Sequence, residues 1–235
     1  IERARNSIET SMLSQVEKVG GNANMMNQYN QYLGDPGYLG KDIERYRQVT
    51  AAGVQRAVDT YLKNQARVVV YGVPGTPDLG AEVATPAPGK VKAAPGTAIN
   101  ADEPWRNKVP AAGPAPKIVL PQATSFTLSN GLTVIHNFNP AVPLISSQLV
   151  VKSGSGANPL AQPGLSSFTA QLLQEGTATR SASQIADDVA QLGAFLGTGS
   201  GTDASFAQLT SLKTTFPHAL DVLADVVQHP QFPSA

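Results

Sequence analysis

Residues 74–121 hold ten of the chain's eighteen prolines, ten alanines and a single aromatic residue, Trp105. Such a stretch buries too little apolar surface to offset the entropy lost on ordering it. It favours an extended, solvated chain with polyproline II character. A structureless loop of this length is unusual inside one domain, so the composition predicts a linker. The 235 residues then divide into a helix-rich part, 1–73, a linker, 74–123, and a part of alternating strands and helices, 124–235. Trp105-Arg106 and Val119-Leu120-Pro121 are the linker's exceptions, and are expected to tack it onto a domain surface.

The first part reads as four helices and a strand. Ile8, Met12, Val16 and Val19 recur at helical spacing from Ile1 to Val19, and Gly20-Gly21 is expected to stop that helix. Asn22 is placed to cap a second helix ending at Gly34-Asp35-Pro36. A short helix spans Lys41 to Val49, and Thr50 caps a fourth through Val54, Val58, Tyr61 and Leu62. The β-branched run Arg67 to Tyr71 predicts a buried strand.

In the third part, Asn130-Gly131 lies between Ser125–Leu128 and Leu132–His136, the strongest short hairpin signal. Leu144 to Lys152 predicts a third strand. Pro163 opens a helix running to about Gln174, on which Leu165, Phe168, Leu172 and Leu173 are expected to face the core. Ser181-Ala182-Ser183 starts another helix, with Ile185, Val189 and Leu192 on one face. Ala194–Thr198 and Ser205–Leu212 read as paired strands. Thr214–Gln228 reads as a last helix with Leu220, Leu223, Val226 and Val227 inside. The order β-β-β-α-α-β-β-α defines an α+β class with a mostly antiparallel sheet covered by helices.

Composition excludes several functions. Net charge is zero, so nothing draws the chain to nucleic acid or to an anionic membrane. No apolar run reaches the length of a membrane span. There is no cysteine, hence no disulfide and no thiolate metal site. Charged residues are only 14%, low for a free-standing domain, which leaves surface for a partner. The chain opens in a helical pattern without an initiator Met and stops at Pro233-Ser234-Ala235, where another element is expected. It reads as a piece of something longer. The Ala, Gly and Pro bias and the absent cysteines point to a bacterial periplasmic protein, with cytoplasm as the alternative.

Catalytic constellations are sparse. No G-x-S-x-G elbow supports a serine nucleophile, and Gly154-Ser155-Gly156 reads as a turn after a strand. Gly197-Thr198-Gly199-Ser200-Gly201 lacks the lysine of a phosphate loop and reads as a flexible hairpin. His136, His218 and His229 are scattered along the sequence and form no metal-ligand pattern.

Gly164–Thr177 has the frame of an H-x-x-E-H zinc helix in which Ser167, Ala170 and Gln171 occupy the positions of the first histidine, the glutamate and the second histidine. Phe126-x-Leu128-x-Asn130-Gly131-Leu132, the Val150–Gly156 strand and glycine turn, Leu192-Gly193 before Asp203-Ala204-Ser205, and Leu220 through His229-Pro230-x-Phe232 follow in order. Together these resemble the amino-terminal portion of a repeat of the pitrilysin-like (M16) zinc metallopeptidases. Gly34-Asp35-Pro36, Val49-Thr50 with Val54, Tyr61-Leu62 and Val68–Gly72 resemble the end of a preceding repeat.

The resemblance implies the M16-like metallohydrolase fold and a tandem protein whose halves close like a clamshell around a peptide substrate. The zinc would be bound in the first half, outside this chain. In a working motif two histidines and a later glutamate bind zinc, and the inner glutamate is the base toward the metal-bound water. A hydroxyl at Ser167, a methyl at Ala170 and an amide at Gln171 do not supply that chemistry, and Glu175 lies outside the motif. The expectation is no catalytic, cofactor or metal residue in this chain, which is inactive alone. Its partner is the catalytic repeat or subunit. The residues leave two alternatives open: a non-enzymatic scaffold of the same fold, and the non-catalytic subunit of a two-subunit peptidase. The linker is equally a hinge of the clamshell or a passive tether. Ala194–Ser205 is expected to contribute to the chamber wall.

Overall fold

The computed structural model describes residues 1–62, 67–76, 108, 111, 113–115, 117 and 120–232. The expectations for Trp105-Arg106 and Val119 fall outside them. The chain forms two compact units, Ile1–Gln65 together with Phe138–Ala235, and Ala66–Asn137.

In the first unit α1 (Glu2–Val16), α2 (Val19–Leu33), α3 (Leu39–Arg47) and α4 (Ala51–Tyr61) follow one another. The first helix ends at Val16 rather than Val19, and α2 runs through Gly20-Gly21. The glycines serve a close approach, not a stop: a Cβ on Gly21 would lie 2.0 Å from the Gln15 carbonyl oxygen. Lys18, extended at φ −92° and ψ 133°, makes the break, and Asn22 lies inside α2. Thr50 caps α4 as its residue type predicts, its Oγ1 accepting from the Gly53 N–H at 3.1 Å. Gly34, in the left-handed conformation, ends α2.

The rest of this unit is β3 (Leu144–Val151), α5 (Leu165–Leu172), α6 (Ala182–Gln191), β4 (Phe195–Ser200), β5 (Ser205–Leu212) and α7 (Phe216–Gln228). The sheet is antiparallel in the order β3-β5-β4, with Leu149 opposite Ala207 and Leu196 opposite Leu209. Alternation sends Ala207, Leu209 and Ser211 to the helix-covered face. There they meet Ile185 of α6 and Ala219, Val222, Leu223 and Val226 of α7, and these residues with Leu196 make the core. Ser181 and Gln184 start α6 with a reciprocal capping box. On α7 the buried stripe is Ala219, Val222, Leu223 and Val226, and Leu220 is exposed.

In the second unit β1 (Thr124–Thr127) and β2 (Thr133–His136) form the expected hairpin, Phe126 opposite Val134. Gly131 takes the left-handed conformation at the turn. Residues 67–71 correct an expectation: they form no strand, and Val68 and Val70 are 91% and 87% exposed. A β-branched run gains little from its propensity without a neighbouring strand to pair with its N–H and C=O groups. Among the described residues none pairs with it. The architecture is α+β with antiparallel sheets and helices, as the sequence pattern predicts.

Candidate functional site

The degenerate motif lies on α5. Gly164, at φ +86°, precedes the helix, and the Ser166 N–H donates to Asn158 Oδ1 at 3.2 Å across its first turn. The face turned to β4 and β5 differs from the expected stripe. Ala170 is 4% exposed, whereas Leu165 and Phe168 are exposed at 43% and 63%. Small side chains bring the helix close to the sheet, and that gain in packing outweighs covering the larger Leu165 and Phe168. Ser166 Oγ is buried without a hydrogen-bond partner, which marks this contact as tight.

An open groove of about 400 Å³ lies between α5 and the β3–β5 part of the sheet, lined chiefly by Leu149, Val151, Leu165, Leu173, Ala207 and Val227. Ala170 borders it; Ser167 and Gln171 do not. The three motif positions therefore do not converge. Ser167 is half-buried, Ala170 packs into the core and Gln171 is exposed. Their donor set fits zinc poorly on chemical grounds: a hydroxyl that stays protonated, a methyl and a neutral amide. Among the described residues no group of three or more His, Asp or Glu side chains could hold a metal ion.

The three histidines lie on different parts of the chain. His136 closes β2 opposite Thr124 in the second unit. His218 lies in α7 beside a cleft of about 240 Å³ shared with Arg180, Asp188 and Asp221. His229 follows α7 and puts Nδ1 3.2 Å from Asp225 Oδ1.

Asp225 is the hub of the densest polar cluster, which sequence reading missed. Its Oδ2 accepts from Thr177 Oγ1 at 2.7 Å, Thr179 Oγ1 at 2.9 Å and Arg180 Nη1 at 2.6 Å. Arg180 Nε also donates to Asp188 Oδ2 at 3.0 Å. Burial alone would raise the Asp225 pKa, but the hydrogen bonds from Thr177, Arg180, Thr179 and His229 lower it to about 2. Main-chain bonds lock the same corner: Ala178 N–H to His229 O and Gln231 N–H to Gly176 O. The cluster binds the turn after α5 to both α6, through Asp188, and α7, through Asp225. The Gly176-Thr177 pair, Arg180, and an aspartate four residues before His229 were its sequence signal. Three donors converge on one oxygen of the Asp225 carboxylate, which makes the cluster a structural joint.

The sheet face opposite α5–α7 is uncharged. By register it presents Phe195, Gly197 and Gly199 from β4, Phe206, Gln208 and Thr210 from β5, and Ser146, Gln148 and Val150 from β3. Ser146 Oγ and Thr210 Oγ1, 3.0 Å apart, mark the shared face. Phe195 and Val150 are more than half exposed. Gly197 to Ser200 lie in β4 and Gly201 in the turn to β5, so the stretch is one arm of a β-hairpin. After Gly154, Ser155–Ala157 forms a single 3₁₀ turn whose Ser155 and Gly156 N–H groups donate to Gly201 O and Thr202 O, in keeping with the reading of Gly154-Ser155-Gly156 as a turn after a strand.

Fold and site together define an α+β domain of antiparallel sheets and helices in which Ser167, Ala170 and Gln171 of α5 offer no set of zinc donors. Residues 133–235 match the family model described as Insulinase (Peptidase family M16). Over that segment the chain is similar to the M16 family. It is 31% identical over 105 residues to an uncharacterized zinc protease of Rickettsia felis, covering 45% of this chain and 26% of that protein. It is 29% identical over 108 residues to a "Probable mitochondrial-processing peptidase subunit beta" of Schizosaccharomyces pombe, covering 46% and 24%. The chain thus spans about a quarter of the length of these curated relatives. Among solved structures it is similar to a peptidase M16 inactive domain from Pseudomonas fluorescens, with 30% identity, TM-score 0.45, and coverage of 48% of this chain and 27% of that one. It is also similar to pitrilysin, with 24% identity, TM-score 0.43, and coverage of 48% and 12%. Among the described residues no helix is long and apolar enough to cross a membrane.

Proposed function

We propose that this chain is the central part of a two-repeat, pitrilysin-like zinc endopeptidase of the periplasm. It supplies the end of a catalytic half (1–73), a linker (74–123) and the start of a non-catalytic, substrate-enclosing half (124–235). The observation that carries the reading is α5: a family helix frame is retained while Ala170, at the general-base position, is packed into the core. A helix kept for its packing after losing its ligands encloses substrate and does not cut it. Peptide hydrolysis then uses a zinc-activated water held by residues outside this chain.

The uncharged sheet face supports a role for Ala194–Ser205 in the chamber wall, since Phe195 and its neighbours offer apolar and amide contacts to an extended peptide. Unchanged peptide affinity of the full-length protein after Phe195→Ala and Gln208→Ala would count against that role. The linker works as a hinge if shortening it narrows the size range of peptides cleaved.

Metal analysis of this chain, paired with a peptidase assay of the full-length protein, tests the whole reading. The expected result is no stoichiometric zinc on the chain and zinc-dependent cleavage by the full-length protein. A full-length protein that is inactive and zinc-free would turn the assignment to a scaffold or to the non-catalytic subunit of a two-subunit enzyme.

A further inference from the structure

We propose that helix α1 is a clasp: it docks through polar caps on the carbonyl end of α6 and holds the chain segments flanking residues 66–137 together. The last turn of any α-helix leaves carbonyls without intrahelical donors. At the end of α6 three successive carbonyls are met by side chains from outside the helix. Asn6 Nδ2 donates to Gln191 O at 2.8 Å, Thr215 Oγ1 to Leu192 O at 2.9 Å, and Thr10 Oγ1 to Gly193 O at 2.8 Å. Two of the three donors belong to α1, nearly two hundred residues away in sequence.

Gly193 is shaped for this contact. Its φ is +61°, and a Cβ there would stand 2.6 Å from the Asn6 backbone. Any other residue would push α1 off. Arg3 adds an ion pair with Asp187 at 3.1 Å, but both side chains are exposed and the pair contributes little. Leu13 is the one buried side chain of α1. Ile8 and Met12 are half-buried beside it, so the polar caps fix the register of a modest apolar contact, and a helix held this way is expected to open as a local unit before the core does. On its other side α1 carries α3 through the Arg47–Glu9 ion pair, with Arg47 Nε 3.0 Å from Glu9 Oε2. The first unit thus joins residues from both sides of positions 66–137, and α1 makes part of that join.

Hydrogen exchange on the whole chain tests the clasp. Asn6→Asp replaces a donor by an acceptor and adds negative charge at a helix carbonyl end. With Thr10→Ala it removes both caps. The amides of α1 should then exchange at least roughly tenfold faster, with β5 and α7 unchanged. Gly193→Ala should do the same, and Thr10→Ser, which keeps the hydroxyl, should hold the wild-type rate. Wild-type exchange of α1 in the N6D/T10A variant, or equal acceleration of β5 and α7, would overturn the proposal.

Discussion

Arg180 Nη1 lies 2.6 Å from Asp225 Oδ2, an oxygen that also accepts from Thr177 and Thr179, so one carboxylate closes the turn after α5 onto α7. The Asp225 side chain is 11% exposed and that of Arg180 28%, between the surface and the buried limits for ion pairs. Asp225→Ala strands Arg180 and two threonine hydroxyls, and should lower unfolding stability by about 2–3 kcal/mol. Asp225→Asn keeps an acceptor oxygen and should cost less. Urea unfolding of the two variants checks the order.

The same carboxylate sets an acid limit. Its folded pKa, about 2, is below the ordinary value of 3.8. The stabilisation is therefore fully present above about pH 4 and is lost as pH falls through 2. It should amount to roughly 1–2 kcal/mol. Thermal midpoints between pH 5 and pH 2 should fall more steeply for the wild type than for Asp225→Asn; parallel curves would contradict this.

Tyr29 offers a signal at the other end of the scale. Burial, then the hydrogen bond to Asp42 Oδ2 at 2.9 Å, raise its pKa from 10.0 to about 12. Its contribution to stability is present below the ordinary tyrosine value and is lost as pH rises through 12. In a phenolate absorbance titration one of the six tyrosines should ionise late. Tyr29→Phe should remove that step, and Asp42→Asn should move it down only in part, since burial remains.

Rebuilding the motif should not create an enzyme. In a Ser167→His, Ala170→Glu, Gln171→His variant the new glutamate falls at a position 4% exposed in the core. An unpaired carboxyl there costs about 3 kcal/mol or more. The expected outcome is a lower melting temperature and no stoichiometric zinc after dialysis. Tight zinc uptake with unchanged stability would refute the placement of Ala170.

Local signals in the sequence were sufficient wherever a short-range rule governs. The Asn130-Gly131 hairpin, the Thr50 and Ser181 caps, the β4–β5 pairing and the order of elements from β1 to α7 all follow from turn chemistry, capping and periodicity. What periodicity could not resolve is which side of a helix faces inward when both sides carry apolar groups. On α5 the choice fell to Ala170 because close approach to the sheet depends on small residues, a property of the neighbour and not of the helix. Gly20-Gly21 reads as a stop until the corner with Gln15 is seen. Arg67 to Tyr71 reads as a strand until, among the described residues, none is found beside it. The joint at Asp225 and the α1 dock at Gly193 unite residues far apart in the chain, and only folding in three dimensions, which makes neighbours of distant segments, decided them.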